Sequence, residues 1–285
     1  MYYRHLRFPE GKAKAVTFSY DDGVKADIRL ANTLTRYGLK GTFNLNSFNL
    51  NSESNLSVEE IKTHLLDAGH EIAVHGEFHK ALGLCTPLEG IQDVLNCRLT
   101  LEKTFGRIIR GMAYADSGIR NMQSDTDYAR IKGYLSELGI LYSRTLGEDN
   151  DSFKLPQDWF AWMPTVHHTN PNTLEYADKF LQIDCDEQYC ANMYPRLYYV
   201  WGHSFEFDRE NNWNLLDALC EKISGHEDIW YATNIEIYDY VQAYRALVFS
   251  VDGTMVYNPT LIKVWFHIDN KAYCILPGQT LSLEV

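Results

Sequence analysis

Short apolar runs alternate with amphipathic helical stretches seven times before residue 246 of this 285-residue chain. The strand-like runs are Ala15–Tyr20, Gly41–Leu45, Glu71–His75, Ile108–Tyr114, Ile140–Ser143, Leu197–Trp201 and Ile229–Thr233. A helix after each strand returns the chain to the end from which it started, so the strands pair in parallel. The signals at the helix ends are local and physical. Ser57-x-x-Glu60 is a capping box with Leu56 and Ile61 as its hydrophobic staple, and Thr86-Pro87-x-Glu89 opens another helix with proline in the first turn. Gly38, Gly69, Gly106, Gly139 and Gly225 follow helical stretches, and Asn212 stands where it can cap the helix carrying Leu215, Leu216, Leu219 and Ile223. About seven βα units predict a parallel sheet, open or closed into a barrel, and a seven-stranded barrel is distorted relative to the eight-fold form.

Two stretches break the pattern. Residues 144–172 are rich in Asp, Asn, Pro and aromatic residues with no clear period, and a loop that long inside a compact domain is usually functional. After Ala246 the period changes to two. Leu247–Val251, Thr254–Tyr257, Leu261–Ile268, Ala272–Leu276 and Thr280–Val285 are separated by turn formers such as Asp252-Gly253 and Pro277-Gly278. The expected division is therefore 1–246 as the main α/β unit and 247–285 as a small antiparallel β appendage. Apolar strands at a chain end also leave room for a homo-oligomer.

Bulk properties narrow the partners. The formal charge is −12, with no Lys/Arg cluster that reverses it locally, which argues against nucleic acid and for neutral or cationic substrates. No apolar run approaches the ~18 residues of a membrane span. Met1–Arg7 is not followed by the apolar run of a secretory leader, so the expected compartment is the cytoplasm. Cys85, Cys97, Cys185, Cys190, Cys220 and Cys274 then read as reduced thiols, and Cys185-x4-Cys190 lacks the second pair that a zinc site needs.

Reactive residues fall at the carboxyl ends of the expected strands, where α/β barrels and open sheets gather their sites. Asp21 and Asp22 follow the first strand, Asn44 and Asn46 end the second, His75 ends the third, Tyr114 the fourth, and His203 follows the sixth. Singly, each has a plain reading: Asp-Asp-Gly is a common turn, His75 and His79 fit an exposed helical pair, and His203 a satisfied core histidine. Together, two carboxylates and two imidazoles supply a divalent-metal site with one carboxylate left over. A metal polarises a carbonyl and acidifies a water, and the spare carboxylate takes the proton. His5, His64, His70, His226 and His267 read as surface or structural, while His167-His168 either line the pocket or tie down the long loop.

Thr17-Phe18-Ser19-Tyr20-Asp21-Asp22-Gly23, His75-x3-His79 and Trp201-Gly202-His203 together resemble the polysaccharide deacetylases of the NodB-homology type, carbohydrate esterase family four. The resemblance covers about residues 12–245 and implies a distorted (β/α)7 barrel. It implies Asp22, His75 and His79 as metal ligands, Asp21 as general base and His203 as the acid that protonates the leaving amine. The implied cofactor is one divalent ion, zinc first, with cobalt, manganese or nickel using the same ligands. A backbone N–H near Ala115 or Asp116 would hold the oxyanion, and Tyr114, Asp116, Trp201 and His168 are the candidate substrate contacts.

The chain departs from the family pattern at three places. Ala113 stands where the third motif carries an arginine, leaving Arg110 or Arg144 to substitute. The fourth motif has no clear match, with Glu148, Asp149, Asp151 and Asp158 as loose candidates. Trp201 replaces the small apolar residue that lines the acyl pocket. The activity implied is N-deacetylation of an amino sugar or related N-acyl compound. The alternatives are an O-acetyl esterase or another non-peptide C–N hydrolase, or a carbohydrate-binding protein that kept the fold without turnover.

Overall fold

Strand β2 (Lys14–Asp21) is buried at all eight positions, and the molecule is organised around it. This is a computed structural model that describes residues 3–116, 128–146, 151–185 and 193–284. The strands preceding and following β2 are β1 (Arg4–Arg7), β3 (Gly41–Leu45), β4 (Glu71–Val74), β5 (Gly111–Ala113), β6 (Tyr142–Arg144), β7 (Val166–His167), β8 (Arg196–Gly202) and β9 (Ile229–Tyr231). Every pairing among β2 to β9 is parallel, in the order β6-β5-β4-β3-β2-β8-β7, with β9 added on β2. Helices α1 (Asp27–Arg36), α2 (Val58–Glu60, continuing as one wide turn over Ile61–Leu66), α3 (Pro87–Phe105), α4 (Tyr128–Glu137), α5 (Thr173–Gln182), α6 (Phe205–Arg209), α7 (Trp213–Ile223) and α8 (Asn234–Arg245) complete the α/β part.

The expected distorted barrel is present, and the form of its distortion is specific. Residues 14–16 of β2 pair with β9, whereas residues 18–21 on the same edge pair with β3. The sheet therefore forks at the amino ends of its strands. Asn234, at the start of α8, ties the fork: its side chain accepts from Thr17 Oγ1 (3.0 Å) and donates to the Tyr199 hydroxyl (2.6 Å), and its N–H donates to Thr42 Oγ1 (3.0 Å). At the other margin the sheet curls until β6 meets the segment leading into β7. Among the described residues, a bridge there joins Arg144 and Trp162, through Trp162 N–H to Ser143 O (3.1 Å) and Thr145 N–H to Trp162 O (3.0 Å).

The wall thus contains seven strands, but not the seven expected. Ile229–Tyr231 lies at the fork, and its place in the wall is taken by Val166–His167, inside the stretch read as a long loop. A two-residue strand shows no alternation, so periodicity cannot find it. The predicted capping box at Ser57/Glu60 is formed, and two more, at Thr86/Glu89 and Thr233/Glu236, open α3 and α8. Asn212 does stand before α7, but its side chain makes no capping hydrogen bond.

The C-terminal strands β10 (Val248–Phe249), β11 (Met255–Tyr257), β12 (Val264–Ile268), β13 (Lys271–Ile275) and β14 (Thr280–Ser282) form two antiparallel sheets, as their period-two pattern predicts. The first residues of the chain join them. β1 pairs with β12, and the Tyr240 hydroxyl donates to Arg7 O (2.8 Å) while accepting from Trp265 N–H (2.9 Å). Cys97, Cys220 and Cys274 are free thiols, and Cys190 lies outside the described residues. Among the described residues no helix is long and apolar enough to cross a membrane.

His70, read from sequence as surface or structural, is buried at the start of β4. Its Nδ1 accepts from Gly41 N–H (3.0 Å), so the neutral ring carries its proton on Nε2, facing Thr35 Oγ1 (3.0 Å) and Ala31 O (3.3 Å). Burial pushes the imidazole down to about 4. Between that value and its ordinary 6.5 the unfolded chain binds the proton and the folded chain does not, so stability is present above 6.5 and lost as pH falls toward 4. The loss attributable to this ring is about 3 kcal/mol. Urea unfolding at pH 6.5 and pH 4 checks it: His70→Gln should flatten the slope, and equal slopes in parent and variant would refute the assignment.

Candidate metal centre

Six strands of the curled sheet deliver a polar side chain to its carboxyl end, and five of these side chains converge. Asp21 ends β2, Asn44 lies on β3, His75 follows β4, Arg144 ends β6, and His203 follows β8. His167, at the end of β7, stands beside His203 with ring centroids 6.3 Å apart.

Asp22 and His79 reach the centre because the backbone turns sharply at both. Asp22 has φ 80° and His79 φ 56°, left-handed values that side-chain-bearing residues seldom adopt. Asp22 is fixed by its N–H donating to Asn44 O (3.0 Å) and by its carbonyl accepting from Asn55 Nδ2 (2.9 Å). Gly76, also left-handed, has Asp93 so close that a Cβ would lie 2.3 Å from Oδ2, so the turn between the two histidines needs glycine. Asp93 in turn accepts from Phe78 N–H (2.8 Å). His75 and His79 are therefore loop residues after β4, not a helical pair.

Asp22 Oδ1 lies 3.6 Å from His75 Nε2 and 3.5 Å from His79 Nε2. Tetrahedral N and O ligands at zinc-type bond lengths of about 2.0–2.2 Å stand roughly 3.3–3.5 Å apart, so the triad has the spacing of a ligand set. The His75 tautomer agrees. Its Nδ1 lies 3.0 Å from Ala113 O, which can only accept, so the proton is on Nδ1. Nε2 is left buried with a free lone pair and no hydrogen-bond partner. A buried nitrogen without a partner is costly, and a cation held with Asp22 and His79 would satisfy it. The residues fit a divalent ion.

Asp21 is the carboxylate left over. It is 2 % exposed, pairs with the Arg144 guanidinium and accepts from Asn44 Nδ2 (2.8 Å). Its Oδ2 lies 3.9 Å from both His75 Nε2 and His203 Nε2. Burial alone would push its carboxyl up, but Arg144, the two imidazoles and the Asn44 hydrogen bond outweigh burial and hold it below the usual range. Of the two arginines left open by the sequence, Arg144 is the one at Asp21. Arg110 sits at the other end of β5 in a two-pronged pair with Asp239 (2.8 and 2.7 Å). Trp201 covers the Arg144 guanidinium, whose carbon stands 4.4 Å from the ring centroid.

His203 faces Glu206, a residue that sequence reasoning missed. His203 Nδ1 is 3.5 Å from Glu206 Oε2, and the His203 N–H donates to the same oxygen (3.2 Å). Burial lowers the His203 imidazole, but Glu206, Asp21 and Asp22 outweigh it and leave it raised. The available signal was the spacing, since residues three apart at a helix start face each other. Of the four loose candidates for a supporting carboxylate, Asp158 is bound to Tyr128 and Lys132, Asp151 pairs with Lys179, and Glu148 and Asp149 lie outside the described residues.

The expected substrate contacts divide. Asp116 is exposed at the carboxyl end of β5, in the left-handed region with φ 55°, and Ala115 before it is buried. Trp201 is largely buried against Arg144 and His167. Tyr114 and His168 are both buried. The Tyr114 ring is packed in the main hydrophobic core. His168 is 1 % exposed, stacked on Phe207 (4.1 Å) and Tyr20 (5.5 Å), and burial holds its imidazole down at about 3. Both support the site from behind. At the rim, Phe48 and Phe78 are 68 % and 49 % exposed with ring centroids 4.9 Å apart, an aromatic pair next to His79 that the sequence reading did not single out.

A curled parallel α/β barrel with carboxylate and imidazole side chains gathered at one mouth is the class defined by fold and site together. Residues 9–131 match the family model described as polysaccharide deacetylase. A Mycobacterium smegmatis protein described as a polysaccharide deacetylase is 17 % identical, with a TM-score of 0.57, and the match covers 85 % of this chain and 94 % of that one. The Xyl-CE4 domain of a multidomain xylanase from the hindgut metagenome of Trinervitermes trinervoides is 16 % identical (TM-score 0.51, 81 % and 92 % covered). A Bacillus anthracis family 4 pseudoenzyme mutant with restored enzymatic activity is 14 % identical (TM-score 0.51, 82 % and 70 % covered). At these identities the likeness is one of fold. No curated protein sequence matches the chain.

The Arg144–Asp21 pair gives a direct test. Arg144→Met leaves a buried carboxylate without its cation and should lower stability by about 3–5 kcal/mol. Adding Asp21→Asn removes the stranded charge and should recover part of that loss in denaturant unfolding. Equal losses in the single and double variants would contradict the pairing.

Proposed function

We propose that this protein is a divalent-metal-dependent hydrolase that removes N-acetyl groups from an amino sugar or short oligosaccharide. The observation that supports the reading is a buried carboxylate, Asp21, kept below its usual range by Arg144 and standing beside Asp22, His75 and His79, whose candidate ligand atoms lie within 4.8 Å of one another. A protein that only binds carbohydrate has no use for that arrangement. Membership of a carbohydrate esterase fold alone would not suffice, since one similar structure is of a pseudoenzyme.

Asp22, His75 and His79 would hold the ion, zinc suiting two imidazoles and a carboxylate best. When bound, it supplies a polarised acyl carbonyl and an acidified water. Asp21 accepts the proton of the attacking water, with Arg144 and Asn44 fixing the direction of its oxygens. A backbone N–H at Ala115 or Asp116 is the donor for the developing oxyanion. His203 gives its Nε2 proton to the departing nitrogen, and Glu206 behind Nδ1 stabilises the charged ring. That acid favours an amide over an ester, because an amine leaves only once protonated, whereas an alkoxide makes a weaker demand. The exposed Phe48–Phe78 pair offers apolar faces for a sugar ring, and the chain's negative charge suits a neutral or cationic glycan.

Two measurements test this. Asp22→Ala and His79→Ala should each weaken divalent-ion binding at least ten-fold, read by metal analysis after equilibrium dialysis. Parent-like ion content in both would end the proposal. Asp21→Asn should keep its ion yet release acetate from N-acetylglucosamine oligomers ~10²–10⁴-fold more slowly. Faster acetate release from an O-acetylated xylan fragment than from the oligomers would replace the amidase reading with an esterase one.

A further inference from the structure

We propose that His167 Nε2, His203 Nδ1 and Glu206 Oε2 form a second divalent-cation site, separate from the Asp22–His75–His79 triad, whose occupancy switches off the His203 acid. Glu206 Oε2 lies 3.2 Å from His167 Nε2 and 3.5 Å from His203 Nδ1, and the three atoms all fall within 4.8 Å of one another. These are the spacings of the first triad again, close to the roughly 3.3–3.5 Å edge of a tetrahedral zinc-type set.

Hydrogen bonding alone accounts poorly for this cluster. His168 Nε2 also approaches Glu206 Oε2 (3.4 Å), and the His203 N–H donates to the same atom (3.2 Å). Four nitrogens surround one oxygen at 3.2–3.5 Å, all longer than the ~2.9 Å of a good N–H···O bond and more than its two lone pairs can serve. His203 Nδ1 and both ring nitrogens of His168 are buried with no hydrogen-bond partner, His168 at 1 % exposure. A cation reverses the requirement. Imidazole lone pairs then act as donors to the metal, and one carboxylate oxygen can ligate it beside them. Two imidazoles and a carboxylate suit zinc, and nickel, cobalt and copper also accept such sets.

The consequence follows from proton counting and rests on His203 being the acid. A ring ligating through Nδ1 keeps a single N–H, on Nε2. Giving up that proton would leave an imidazolate, so the metallated ring is a far weaker acid than the imidazolium. The same ion would draw Glu206 away from supporting the charged ring. One equivalent of metal would therefore serve the first triad, and an excess would inhibit.

Equilibrium dialysis of chelator-stripped protein against zinc alone, with metal analysis, separates the two sites. The parent should bind two ions per chain. His167→Asn and Glu206→Gln should each lose the weaker ion and keep the tighter, while His79→Ala should lose the tighter and keep the weaker. Acetate release by the parent should fall at least ten-fold as zinc rises beyond the first equivalent, and His167→Asn should be insensitive to the excess. One ion per chain in the parent, or two ions retained in both His167→Asn and Glu206→Gln, would overturn the proposal. If His79→Ala instead kept both ions while His167→Asn lost one, the second site would stand and the reading of the first triad would fall.

Discussion

A buried guanidinium beneath a buried carboxylate is the interaction on which the site depends. Asp21 lies at the centre of the mouth, within reach of Arg144, Asn44, His75 and His203. Removed from water alone, it would take up a proton and lose its charge. Arg144 prevents this from the end of β6, four positions along the sheet of parallel strands from β2. The cation that keeps Asp21 ionised is therefore supplied across the barrel, and the pairing exists only because the sheet curls. An open, flat sheet with the same strand order would hold the two groups apart.

The curl also explains why the seam matters. Arg144 is the last residue of β6 and the partner in the bridge to Trp162, so the contact that brings the margins of the sheet together also fixes the residue bearing the cation. Trp201, from β8, lies over the guanidinium and shields it. Closure, charge placement and exclusion of water are three effects of one junction.

Much of this was legible in the chain because it is written locally. The capping box at Ser57, the helix start at Thr86-Pro87, the alternation of strand and helix, and the placing of Asp21, Asp22, His75 and His203 at strand ends depend on neighbours a few residues apart. What stayed hidden depends on closure. Val166–His167 is too short to show a period, and its strand exists only because β8 offers an edge. The choice between Arg110 and Arg144 needed the direction of two strand ends, since each arginine finds a carboxylate and only one of them is Asp21. Tyr114 and His168 occupy the right positions in sequence, but the curl turns their rings inward, to the core and onto Phe207. Glu206 was open to local reading, three residues past His203, but it belongs to no separate motif that marks it out.

Two of the three triad residues, Asp22 and His79, sit in left-handed backbone. For residues with side chains that conformation costs on the order of 1 kcal/mol each, and glycine would relieve it at either position. The fold thus carries a standing penalty that nothing in its core repays. Under the proposed function, glycine at both places would give a sturdier fold with no grip on an ion, so stability and ligation pull in opposite directions at these two turns.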